Sequence, residues 1–203
     1  AVLNSKLFDD IFIATDSKKI KNTVSSFGAP CIITSTKNKN GTERCAELIR
    51  TTLSDFNDTD LIINIQCDEP FIKRVHLIKI IDSFKEDIEI STIISPIHDY
   101  EIPNESIVKT IIADNNVAIN FSRQKSILRD PKKIYKHIGI YGYRKKTLLK
   151  LARLDPTKRE LAEKLEQLRW MEYGHKITCV LISDNILSIN TKNDVKKVTK
   201  KPI

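Results

Sequence analysis

The segment Leu61–Ile65, LIINI, constrains this chain more than any other feature, because four of its five residues are Leu or Ile. A strand with one face on water alternates apolar and polar side chains, whereas a nearly unbroken aliphatic run suits a strand covered on both faces. Comparable runs mark candidate strands at Ile11–Thr15, Cys31–Thr34, Ile90–Ser95, Ile107–Ile112, Val117–Phe121, Ile138–Tyr143 and Ile177–Ile182. Helical periodicity predicts helices over Lys18–Phe27, Thr42–Leu53, Arg74–Lys85, Lys145–Leu151, Lys158–Tyr173 and Asn193–Lys200. Strand–helix alternation of this kind predicts an α/β fold, a Rossmann-like, mainly parallel sheet flanked by helices. The rhythm breaks between Ile90 and Tyr143, where four strand patterns follow one another around the turn-rich SPIHDYEIPNES and ILRDPKK. A small antiparallel excursion over 90–143 is the expectation there. With no internal repeat or low-complexity linker, residues 1–203 are expected to form a single domain.

Composition narrows the class. A hydrophobic content of 40% is enough for a packed core. No apolar run approaches the roughly 18 residues that a bilayer span needs, and AVLNSKLFDD lacks the basic-then-apolar layout of a secretion signal. A cytoplasmic protein without a membrane partner is expected. Cys31, Cys45, Cys67 and Cys179 are dispersed without a CxxC pair, which argues against a disulfide scaffold or a structural zinc site. The net charge of +8 would attract a triphosphate or an acidic sugar, and equally suits a solvated basic surface. Nucleic acid is not an expected partner, since the lysines are scattered and no aromatic platform accompanies them.

Four segments can carry chemistry. In NIQCDEP (64–70), Asp68 and Glu69 follow the end of a strand, at the sheet edge where open α/β folds bind ligands. A carboxylate there can hold a hard divalent cation that bridges phosphates; the same residues also suit a plain turn closed by Asp68 and Pro70. In NGTER (40–44), Gly41 lets backbone approach a ligand at a helix start, while Asn40 and Glu43 equally suit a capping pair. In HIGIYGYR (137–144), strand geometry puts Ile138 and Ile140 on one face and His137, Gly139 and Tyr141 on the other. That second face fits a polyhydroxylated acid or internal packing. In ELAEKLEQLRWMEYG (160–174), a helix would bury Leu161, Leu165 and Leu168, with Trp170 nearly opposite and Glu166 and Gln167 on the flanks. Two apolar faces fit either a second subunit or a helix sandwiched within the domain.

Taken in order, IATD (13–16), GTER (41–44), Q-x-DEP (66–70), FSR (121–123), HIGIYGYR (137–144) and LEQLR (165–169) resemble the 3-deoxy-manno-octulosonate (Kdo) cytidylyltransferase family, also called CMP-Kdo synthetases. The set extends over nearly the whole chain. The sialic acid synthetases share the fold but not the HIGIYGY and LEQLR segments. The resemblance implies a nucleotidyltransferase that makes CMP-Kdo and pyrophosphate from CTP and Kdo for lipopolysaccharide synthesis, with Mg²⁺ as cofactor, in a homodimer. By position it implies Asp68 as catalytic metal ligand, Asn40, Gly41, Thr42 and Arg44 in the nucleotide pocket, and Gln66, His137, Tyr141, Glu166 and Gln167 against the sugar.

Three departures accompany the match. The chain opens at what resembles the helix after the family's PARxxSxRLPGKPL phosphate loop, and omission of that segment from the sequence is the expectation. Asn190 occupies the place of an Asp in the family's V-D-T-x-x-D segment, which implies a weaker metal ligand; Asp194 matches the later acid but is explained by helix capping. Cys67 replaces a Gly, and the stretch from Arg123 to His137 is shorter than the family pattern. The alternative is a non-catalytic homologue that binds nucleotide or a partner protein.

Overall fold

The computed structural model describes residues 2–53, 55, 57–85, 87–124 and 134–199. The turn 127–133 and the final residue of the last expected helix, Lys200, lie outside the described residues. In chain order come α1 (Val2–Ser5), β1 (Ile13–Thr15), α2 (Lys18–Ser25), β2 (Cys31–Ile33), α3 (Gly41–Thr52), β3 (Leu61–Ile65), α4 (Arg74–Asp82), β4 (Ile90–Pro96), β5 (Lys109–Ile112), β6 (Ala118–Ser122), β7 (Ile134–Arg144), α5 (Lys145–Leu151), α6 (Lys158–Glu163), α7 (Glu166–Glu172), β8 (Thr178–Leu181) and α8 (Lys192–Thr199). Helix starts follow their caps. Ser17 accepts from the Ile20 amide, Asn40 from Glu43, and Thr157 from Glu160 in a reciprocal capping box.

The α/β class forms as expected. β1 and β2 pair in parallel around α2. The larger sheet runs β6-β5-β7-β4-β8, with β3 also on β7. Within it β3, β4, β5 and β8 point one way, and β6 and β7 the other. The antiparallel share therefore reaches beyond the excursion, because β7 lies between β3 and β4 and opposes both. A hydrophobic pattern reports that a strand is buried, not which neighbour it meets.

Helices cover both faces. On one, α3, α5 and α7 bring Ala46, Ile49, Leu148, Leu151, Leu168 and Trp170 against Tyr141 and Tyr143. On the other, Leu77 and Ile80 of α4 meet Ile93, Ile138 and Ile140. Each such aliphatic side chain, fully buried, stabilises the fold by roughly 1.5–3 kcal/mol.

The single helix expected over Lys158–Tyr173 is two. Lys164 takes left-handed backbone (φ 55, ψ 48) and ends α6, and extended Leu165 starts α7. The break resets the helical phase, so the expected stripe does not form. Leu161 is 66% exposed, while Leu165, Leu168 and Trp170 are all buried. Trp170 stands edge-on to Tyr141 and Tyr143, at 5.1 and 5.7 Å between ring centroids, inside this chain's own core. It therefore offers no second apolar face for another subunit.

Candidate active site

The site forms where β7 divides one edge between two strands. Along residues 140–144 that edge carries β3, and along residues 134–136 it carries β5; β4 occupies the opposite edge. Between β3 and β5 lies a fork at His137, Ile138 and Gly139. The His137 amide still reaches the Val108 carbonyl at 2.9 Å, and the Gly139 carbonyl accepts from the Gln66 amide at 3.0 Å. Beyond Gln66 the chain leaves the ladder, so the Gly139 N–H needs another acceptor. The Glu69 carboxylate supplies it at 3.0 Å.

β7 keeps its faces through an irregularity. Against β4 the register moves by two residues between the Thr92–Tyr141 and Ile93–Ile138 pairs. An even shift preserves alternation. His137 and Tyr141 share one face, 5.2 Å apart between rings, and Ile138 and Ile140 pack on the other, as the sequence pattern expects.

One cavity opens at the fork. Gln66, Asp68, Arg123, Lys136, His137 and Asn190 are among its walls. Asp68 thus meets Asn190 across about 120 positions of sequence, because the Ile189 amide donates to the Asp68 carbonyl at 2.8 Å. The Asp68 Oδ1 is buried without a hydrogen-bond partner among the described residues. Burial raises its pKa, and nearby Arg123 opposes the rise. Arg123 is fixed by its Nε to the Glu163 carbonyl and by Nη1 to the carbonyls of Glu105 and Ser106.

A second cavity continues from the first, sharing Gln66, Val108, Arg123 and His137. Its walls include Asn40, Gly41, Tyr141, Glu166 and Gln167. Desolvation around the half-buried His137 ring lowers its pKa to about 3, so the ring is neutral near pH 7. Tyr141 Oη and Glu166 Oε2 are buried without partners among the described residues. Burial raises the Glu166 pKa to about 7, against hydrogen bonds from Thr42.

Two residues expected in the nucleotide pocket, Thr42 and Arg44, line neither cavity. Thr42 is buried beneath the cavity, 3.5 Å from the Tyr143 hydroxyl. Arg44 turns to Asp16, at 2.9 Å, and to the Thr34 hydroxyl at the ends of β1 and β2. Four positions on α3's first turn point in four directions at 100° per residue, so a contiguous motif cannot line one cavity with every side chain. Asp194 caps α8, accepting from the Thr191 amide and hydroxyl, as the capping reading expects.

Sequence reasoning did not single out Lys136, Ser188 or Thr92, and gave Glu69 no role of its own. Lys136 Nζ is buried against Glu101 and the Ile186 carbonyl. Ser188 donates to Glu69, and Thr92 bonds the His137 ring. Each acts through partners far along the chain, so local pattern carries no signal for it. Arg123 was signalled only by FSR.

Comparison with known proteins was consistent along the chain. Residues 1–177 match the family described as cytidylyltransferase. The 3-deoxy-manno-octulosonate cytidylyltransferase of Myxococcus xanthus is 35% identical over 199 residues, covering 96% of this chain and 79% of that protein. The protein of the same name from Thermodesulfovibrio yellowstonii is 36% identical over 211 residues, covering 97% and 83%. Among solved structures, CMP:2-keto-3-deoxy-manno-octonic acid synthetase complexed with CTP superposes with a TM-score of 0.83 at 28% identity, over 97% of this chain and 81% of that one.

Proposed function

The chain belongs to the cytidylyltransferase family, and on that premise we propose that it transfers the cytidylyl group of CTP to 3-deoxy-manno-octulosonate. The anomeric oxygen of the sugar forms a bond to the α-phosphorus, the bond from that phosphorus to the β-phosphate oxygen breaks, and pyrophosphate leaves. The hydroxyl proton passes to solvent. The observation that carries this reading is the continuity of two cavities through Gln66, Arg123 and His137. One end offers a carboxylate, an amide and a guanidinium suited to phosphates. The other offers ring nitrogen, phenol, carboxyl and amide groups suited to a hydroxylated acid.

Asp68 and Asn190 suit Mg²⁺: a buried oxygen without a partner on a half-buried carboxylate, in one cavity with an amide side chain, matches an ion that takes few protein ligands and completes its shell with phosphates and water. No cluster of three His, Cys, Asp or Glu occurs among the described residues. When bound, the ion neutralises charge on the phosphate oxygens. The protein's own groups do the rest. Arg123 offsets phosphate charge, neutral His137 orients the acceptor by hydrogen bonding, and Glu166, close to half-ionised near pH 7, can donate to or accept from a sugar hydroxyl.

No described helix is long and apolar enough to cross a membrane. The reading includes a cytoplasmic homodimer serving lipopolysaccharide synthesis, which the family resemblance supports and sedimentation of the purified chain tests. The central test is pyrophosphate release, expected only with CTP, the sugar and Mg²⁺ together. CTP binding in calorimetry without any release would instead favour a non-catalytic homologue.

A further inference from the structure

Glu69 is buried, with 5% of its surface exposed, in the wall of the first cavity. Its Oε1 accepts from the Gly139 amide at 3.0 Å, and the Ser188 hydroxyl lies 2.8 and 2.9 Å from its two oxygens. Around this carboxylate the backbone closes a ring. Gln66 N–H donates to the Gly139 carbonyl at 3.0 Å, Glu69 N–H to the Gln66 carbonyl at 3.1 Å, and Ile189 N–H to the Asp68 carbonyl at 2.8 Å. Three segments meet here: the loop after β3 with Asp68, the fork of β7 with Gly139 and His137, and the stretch before α8 with Asn190. That last stretch has no helix or strand of its own. Beyond the packing of Ile182 and Ile186 in the core, it is tied by Ser188, by the Ile189 amide, and by Lys136 Nζ at 2.7 Å from the Ile186 carbonyl.

We infer that Glu69 is a positioning residue, which sets the distance between the phosphate-binding pair Asp68 and Asn190 and the acceptor strand that carries His137. The inference rests on the proposed cytidylyl transfer for its kinetic consequence, but the mechanical claim stands apart from activity. A Pro residue follows Glu69, and Gly139 packs directly against Gln66: a Cβ there would lie 2.6 Å from Gln66 Oε1, so any side chain at this position displaces the Gln66 amide. The clamp thus joins parts with little freedom to compensate. Misplacement by about 1 Å costs on the order of a hundredfold in a reaction that depends on alignment.

The test compares Glu69→Ala, Glu69→Gln and Ser188→Ala in the full chain. Amide hydrogen exchange of Gly139 and Ile189 is followed by NMR, alongside kcat, KM for the sugar, and CTP binding by calorimetry without sugar. Glu69→Ala should speed exchange at both amides together while amides of β4 stay protected, and should lower kcat about a hundredfold with CTP affinity within twofold. Ser188→Ala, a smaller change, should do the same at Ile189 and lower kcat about tenfold. Glu69→Gln should restore most of kcat, since its amide oxygen can accept from Gly139 and its NH₂ can donate to Ser188 Oγ. Unchanged Ile189 exchange in Glu69→Ala and Ser188→Ala would overturn the inference, as would parallel losses of kcat, CTP affinity and β4 protection. A wild-type chain that releases no pyrophosphate would sink the proposed function and leave the exchange result to decide the clamp.

Discussion

Thr92 settles which nitrogen of His137 carries the proton. Its hydroxyl oxygen lies 2.9 Å from Nε2 of that ring and 2.8 Å from the Ile140 carbonyl. A hydroxyl has one proton, and a carbonyl can only accept, so that proton goes to Ile140. Thr92 therefore accepts from Nε2–H, and Nδ1 is left with its lone pair as the ring's free acceptor. With a pKa lowered to about 3 by burial, the ring stays in this neutral form throughout the physiological range.

Thr92→Val is expected to remove this control with little change in volume. ¹⁵N shifts of the His137 ring should move from a single Nε2–H tautomer to a mixture. The KM for the sugar should rise about fivefold, corresponding to a lost hydrogen bond of roughly 1 kcal/mol, while the KM for CTP stays within twofold. A single unchanged tautomer in the variant would refute the assignment.

Gly139→Ala places a methyl group 2.6 Å from Gln66 Oε1, and 3.1 Å from Gln66 Cδ. The amide end of Gln66 can swing away, so the fold should lose no more than about 1 kcal/mol. Gln66 lines both cavities, so its displacement should lower sugar affinity about tenfold. Gly142→Ala meets the Phe84 ring at 2.5 and 2.9 Å and has no such escape. It should cost about 1–3 kcal/mol by overpacking, read as a lower urea midpoint.

The two faces of β7 are legible in HIGIYGYR because strand periodicity is local and exact in parity, and an even register shift leaves it intact. The place of Asp68 just beyond a strand end is legible too, because the aliphatic run of β3 stops at Ile65. Trp170 is not. Its direction depends on Lys164 adopting left-handed backbone, which no helical pattern announces in a residue other than Gly or Asn. Glu69 is also hidden, since its partner Ser188 is 119 positions away. The direction of β7 between β3 and β4 is likewise a matter of long-range pairing.

Glu166 gives a signed pH dependence. Its folded pKa of about 7 exceeds the ordinary 4.5, chiefly because burial disfavours the charge. The contribution to stability is complete below pH 4.5 and is lost as pH rises through about 7, by up to roughly 3 kcal/mol. His137 acts oppositely: its folded pKa lies below the ordinary 6.5, so its contribution is complete above 6.5 and fades as pH falls toward 3. The slopes compete between pH 4.5 and 6.5, and the difference between wild type and Glu166→Gln isolates the carboxyl. Urea midpoints measured from pH 4 to 8 should fall with pH in wild type relative to the variant; parallel curves would contradict the burial of this carboxyl.

Asn190 tests the cation reading. Asn190→Asp adds a charge beside Asp68, and should lower the Mg²⁺ concentration for half-maximal activity about tenfold. Asp68→Asn should raise it by more than tenfold or abolish release. Stripping divalent ions with a chelator should stop release, and Mg²⁺ should restore it. Identical Mg²⁺ titrations for wild type and Asn190→Asp would remove Asn190 from the site.

The divided edge of β7 also restricts which changes of length the gene can accept. A one-residue insertion or deletion between His137 and Tyr141 would turn the two rings to opposite faces and break the alignment of β3 with β5 along this edge. Only steps of two keep the alternation, as the existing irregularity against β4 does. Tandem codon pairs are therefore the smallest indel that this strand can absorb with its chemistry in place.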